Sequence, residues 1–101
     1  MLKEIEINGQ RIVPAELTFG TVRQMIGMGV DFNDLGKDLY TLVSAYVRIS
    51  TGLRERAADE LIQRHIVKGG NLDDVLDAFK SALDESDFFQ ALAKTKETEA
   101  E

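Results

Sequence analysis

The chain contains no cysteine, which removes disulfides, zinc–thiolate centres, iron–sulfur ligation and thiol nucleophiles together. That absence agrees with a reducing, cytoplasmic compartment. It contains one histidine, His65. A general base needs a nucleophile or an orienting carboxylate beside it, and a metal site needs more ligands than one imidazole. Long apolar runs are also missing. No stretch reaches the roughly 18 apolar residues of a membrane span, and the most apolar segment, 39–49, is broken by Thr41, Ser44 and Arg48. The opening MLKEIEING has no long apolar run after its basic residue, so no secretory signal is expected. Basic charge is scarce where acidic charge is dense. Residues 1–70 hold nine Lys or Arg against nine Asp or Glu, whereas residues 71–101 hold three against nine and so carry the whole net charge of −6. Such a field repels phosphate backbones and anionic lipid heads, so neither nucleic acid nor a membrane is expected as a partner.

What is present reads as one small domain. The 101 residues are 44% apolar and 30% charged, the balance of an ordinary globular protein. Residues 3–14 read as a β-hairpin. Asn8-Gly9 sits between two β-prone runs, and a tight turn of positive φ at both central positions selects that pair. Pro14 lacks an N–H and ends the pairing. Thr18 is placed to cap a helix over 19–28 that carries Val22, Met25 and Ile26 on one face. Asn33 or Asp34 is placed to cap a second helix over 34–51. There Leu35, Leu39, Leu42, Val43, Tyr46 and Ile49 recur at helical period. A third helix, 54–68, presents Ala57, Ala58, Leu61, Ile62 and His65, and Gly69-Gly70 ends it. Asn71 is placed to cap a fourth, 72–84, with Leu72, Val75, Leu76, Phe79 and Leu83 in register. Ser86 or Asp87 is placed to cap a short fifth helix, 88–93.

The predicted fold class is therefore mainly α (α+β), an N-terminal hairpin followed by four to five short helices, in a single domain over 1–93. The predicted core draws on Ile5, Ile7, Phe19, Val22, Leu39, Leu42, Val43, Tyr46, Leu61, Ile62, Leu76 and Phe79. KTKETEAE, 94–101, holds no apolar residue larger than alanine and is expected to be a disordered acidic tail.

Several features tempt toward chemistry and do not sustain it. His65 lies on or beside the apolar face of its helix and reads as structural. Asp73, Asp74 and Asp77 open a helix, where negative charge complements the helix dipole, and no turning calcium loop surrounds them. Gly27-Met28-Gly29 lacks the third glycine of a dinucleotide fingerprint, and Gly69-Gly70 lacks the Lys-Ser/Thr of a phosphate loop. Read as a recognition helix, LDDVLDAFKSAL would set three aspartates and one lysine against DNA, which repels it. No catalytic residue, cofactor site or metal site can be assembled, so the chain is expected not to be an enzyme.

The remaining capacity is binding through surface. Phe88 and Phe89 are adjacent, so they point roughly 100° apart on a helix; Leu92 lies within reach of both. A helix this short is unstable alone, so it docks either on its own domain or on a partner. Phe88, Phe89 and Leu92 are the candidate partner-binding residues, for a client or for self-association, and burial of both rings in the domain's own core is the competing reading.

The order of segments carries a resemblance. IEING at 5–9, LTFG at 17–20, MGVDF at 28–32, LYTLVSAY at 39–46, GGNLDDV at 69–75 and ALDESDFF at 82–89 together resemble the tail assembly chaperones of long-tailed (siphovirus-type) bacteriophages and prophages. Gly27-Met28-Gly29 departs from the longer charged helix such a chaperone would have there. The resemblance implies a non-catalytic protein of the bacterial host cytoplasm. It would bind and solubilise the tape measure protein, the long helical chain that sets tail length, and would also self-associate. It carries no catalytic or ligand residues across. The alternative is a structural head–tail connector or tail-completion subunit of the particle.

Overall fold

The computed structural model describes residues 4–92. The expected strand start at Lys3, the end of the last helix at Ala93 and the tail at 94–101 lie outside the described residues. Strands β1 (Ile5–Ile7) and β2 (Gln10–Ile12) form an antiparallel hairpin. Four helices follow: α1 (Phe19–Gly27), α2 (Leu39–Thr51), α3 (Glu55–Val67) and α4 (Asp73–Glu85). Residues 87–92 form a short α5. The fold is mainly α with a small hairpin, as expected. Among the described residues no helix is long and apolar enough to cross a membrane.

Turn chemistry sets the hairpin. Asn8 has φ 51° and Gly9 φ 80°, the double left-handed turn that suits the twist of paired strands. The register pairs Ile5 with Ile12 and Ile7 with Gln10. Ile5, Ile7 and Ile12 are buried beneath the ribbon, while Glu6 and Arg11 face out. A two-stranded ribbon needs such packing to persist, and α3 and α4 supply it against β1.

Helix α2 is the central element; α1, α3 and α4 all pack on it. Its buried residues are Leu42, Val43, Ala45, Tyr46 and Val47, a face broader than one stripe because three helices cover it. Alanines provide much of the close approach: Ala45, Ala58, Ala78 and Ala82 are all buried. Ser44 also donates to the Asp59 carboxylate at 2.6 Å, tying α2 to α3.

Two side chains clamp the connections. Tyr46 is fully buried, and its hydroxyl donates to the Ala15 carbonyl at 2.7 Å. The Ala15 N–H donates in turn to Ser50 Oγ at 3.0 Å. The segment between hairpin and α1 is thus held to α2 through both of its backbone groups. His65, the structural histidine, joins three pieces of chain. Its Nδ1 accepts from the Asn8 N–H at 2.9 Å, and Nε2 lies 3.0 Å from the Asn71 carbonyl oxygen. Since Nδ1 accepts, the proton sits on Nε2 and is donated to Asn71.

Four expectations need correction. The second helix begins at Leu39, not at 34. Asp31 and Asp34 instead start turns that close on Asp34 and Lys37, and Asp38 is the cap, accepting from the Thr41 N–H and hydroxyl. Those bonds to Thr41 hold the Asp38 carboxyl below its usual pKa. Phe19 (62% exposed) and Leu39 (45% exposed) are not core residues, because each is the first residue of its helix and projects past the end of the packed face. Ile26 and Ala57 face solvent as well, since α1 and α3 each meet the rest along a narrower stripe, Val22 with Met25 and Ala58 with Leu61. Asn71 does not occupy the capping position of α4; Leu72 does. The Asn71 side chain accepts from the Asp73 N–H one residue before the cap, and the helix starts at Asp73.

Two measurements probe these clamps. Gly70 lies so close to the His65 ring that an added Cβ would stand 2.5 Å from its atoms. Gly70→Ala should therefore destabilise by about 1–3 kcal/mol, an overpacking cost, and urea unfolding reads it. Burial pushes the Tyr46 hydroxyl pKa well up, against a smaller opposing effect from Ser50. The fold thus favours the neutral phenol: its contribution is complete below about pH 10, the unfolded value, and is lost as pH rises above that. Tyr46→Phe should cost about 1–2 kcal/mol at pH 7 by leaving the Ala15 carbonyl unpaired. It should also show a shallower loss of stability than the parent between about pH 10 and 12.

Candidate functional site

The candidate site is built at the corner where α4 turns into α5. Ser86 is extended there, with φ −75° and ψ 116°, and it is buried. Its hydroxyl donates to the Leu17 carbonyl at 2.6 Å and accepts from the Phe89 N–H at 3.3 Å. Gln90 closes the corner from the other side: its amide Nε2 donates to the Asp84 carbonyl at 2.8 Å and its N–H to the Ser86 carbonyl at 3.0 Å. A helix too short to hold itself is therefore tied to the domain through its first residues.

The rings of α5 belong to a row. Phe88 and Phe89 are in edge contact, with centroids 5.2 Å apart. Phe89 stacks on Phe32 at 5.8 Å, Phe32 tilts against Phe79 at 6.3 Å, and Phe79 meets Tyr46 edge-on at 5.3 Å. At the other end Phe88 meets Phe19 edge-on at 5.7 Å, and the Arg23 guanidinium lies 6.0 Å above the Phe19 ring. All five phenylalanines of the chain thus form one continuous line from the buried Tyr46 to the surface. Exposure grades along it. Tyr46 and Phe79 are buried, Phe32, Phe88 and Phe89 are half-buried against the core, and Phe19 is mostly exposed.

The structure brings Phe88 and Phe89 together with Phe19 and Phe32. Leu92 is 39% exposed, on the last described turn of α5. The two rings are neither wholly core nor wholly surface: each lies against the domain on one side and is open on the other. Phe19 and Phe32 are the members that sequence reasoning missed. Phe19 was assigned to the core on its period. The available signal was its place at the first helical position, beyond the packed turns. Phe32 sits in a loop, where periodicity has nothing to say. A large ring between two capped elements is nonetheless an anchor, since loops are otherwise polar and run over the surface.

A second apolar surface lies between α2 and α3. There Tyr40 and Val67 are 80% and 77% exposed beside the half-exposed Ile66. They line a groove of about 470 Å³ with Arg48 and Asp59 on its walls. Among the described residues no three acidic or histidine side chains gather as metal ligands, and His65 is engaged through both ring nitrogens.

The graded row separates its members in a stability measurement. Phe89→Ala removes the ring that links α5 to Phe32 and should cost about 2–3 kcal/mol, below the full cost of a buried phenylalanine. Phe88→Ala removes a ring whose aromatic partners are the exposed Phe19 and its neighbour Phe89, and should cost about 1 kcal/mol. Thermal unfolding of the two variants checks the order. Equal losses of core size would show that both rings belong to the interior.

Comparison with protein-family models, with curated proteins and with solved structures yields no match to this chain.

Proposed function

We propose that this protein is a tail assembly chaperone of a long-tailed bacteriophage or prophage. In this reading it binds the tape measure protein in the host cytoplasm and keeps it soluble until tail-tube subunits assemble around it. The reading starts from the resemblance of its ordered segments to that family. The observation that supports it best is the graded row of phenylalanines. A holdase needs apolar surface that is open yet held in place, because a free flexible patch would aggregate with its own kind. Phe19, Phe88 and Phe89 meet both requirements: they are partly open, and they are anchored through Phe32 and Phe79 to the core.

The charge distribution supports the same role. The last third of the chain carries the net charge of −6, and mutual repulsion keeps chaperone–client assemblies apart. No step of this function requires a catalytic group.

Co-expression with the tape measure protein of the same phage tests the proposal. The soluble yield of that protein should rise severalfold, and the two should co-purify. Unchanged solubility and no co-purification contradict it. Mass spectrometry of purified virions separates the alternative: a connector or tail-completion subunit is present at fixed stoichiometry, whereas a chaperone is absent.

A further inference from the structure

Below the α4–α5 corner the chain forms a cleft of about 660 Å³. Its floor is apolar: Leu17 and Ala82 are buried there, and the open faces of Phe19 and Phe88 form the walls. Its rim is acidic. Glu16, Asp84, Glu85 and Asp87 all line it, and among the described residues no lysine, arginine or histidine does. Glu16, Asp84 and Asp87 make no ion pair among the described residues. The Arg23 guanidinium lies over the Phe19 ring.

One of these carboxylates stands where it works against the fold. Asp84 occupies the last turn of α4, at the negative end of its dipole, and that turn holds no basic residue. Negative charge there is destabilising, whereas Asp73 and Asp74 sit in the first turn, where it is favourable. Charge placed against stability and around an apolar floor calls for a cation from outside.

We infer that this cleft takes a basic amphipathic helix, one with an apolar stripe for the phenylalanine walls and lysines or arginines beside the stripe for the rim. The inference rests on the proposed chaperone role only for the name of the chain that carries such a helix; the chemistry is read from the cleft. A second copy of this protein is the poorer occupant. A two-fold symmetric contact would set the same patch against itself and bring both acidic rims together. The Phe88 end of the row is thereby a client surface, and self-association through it is disfavoured.

The test uses the full chain and three synthetic helical peptides. The first has leucines three and four apart with flanking lysines, the second replaces the lysines by glutamates, and the third replaces the leucines by serines. Titration followed by amide chemical shifts should show the first binding at the amides of Leu17, Phe19, Ser86 and Phe88. It should bind at least about tenfold more tightly than either control, and it should weaken severalfold as salt rises toward 0.3 M. Asp84→Lys is the informative variant. It should weaken the first peptide at least about tenfold while leaving the melting temperature unchanged or higher, because it removes a charge the helix end disfavours. Equal binding of basic and acidic peptides, shifts confined to the α2–α3 groove, or a self-association interface mapped to the cleft would overturn the inference. Binding of the basic peptide by a protein that fails to solubilise any tape measure protein keeps the cleft and removes the client's name. Solubilisation without binding of the basic peptide does the reverse.

Discussion

Tyr46 is fully buried at the centre of α2, and both ends of its side chain hold something in place. The hydroxyl fixes Ala15, and with it the path from the hairpin into α1. The ring edge receives Phe79 of α4, the inner end of the row of rings that reaches the surface at Phe19. A buried phenol is tolerated when its hydroxyl is bonded, and the bond to Ala15 satisfies this one. Tyr46 and the rings that follow from it thereby help to place the hairpin–α1 connection, α4 and α5, beside the direct packing of α1 and α4 on α2.

For the binding surface proposed above, the outward gradient of burial would meet two conflicting demands. Rings fully in the core would stabilise the domain and be unavailable; rings fully exposed would be available but mobile and prone to nonspecific association. Here each ring is supported by the next one inward, so an open face is presented on a side chain whose other face is fixed. Pre-ordering of this kind lowers the entropy lost on binding. The Ser86 hydroxyl contributes similarly. By bonding to Leu17 across the fold, it keeps the α5 rings over the core rather than swinging on a free chain end.

Much of the architecture was legible in the sequence, and the failures have physical causes. Asn8-Gly9, Thr18 and Ser86 were read correctly because their roles depend on local chemistry, which a linear sequence states directly. The helices were found by period, and Leu42, Val43, Tyr46, Leu61 and Phe79 are indeed buried. Period does not say where along a helix its partner ends, so Phe19 and Leu39 were placed inside and lie outside, and Ile26, read on the apolar face of its helix, faces solvent. The start of α2 was misplaced because Asn33, Asp34 and Asp38 are all competent caps, and only the turns closed by Asp31 and Asp34 decide among them. The buried alanines were largely invisible, since a small side chain signals close approach only once the partner helix is known. For the candidate site, the Phe88-Phe89 pair was readable as unusual. Its continuation through Phe32 to the core depends on a loop conformation that no spacing rule encodes.

The acidic rim and the aromatic walls occupy one end of the molecule, and the account stands on that end being where a basic, apolar partner helix docks. Amide hydrogen exchange of the protein alone and in complex with a co-purified tape measure protein tests this most directly. The account predicts slowed exchange over residues 16–19 and 84–90, with the α2–α3 groove unchanged. Protection centred on that groove, around Tyr40 and Val67, with none at the phenylalanine end, would contradict it.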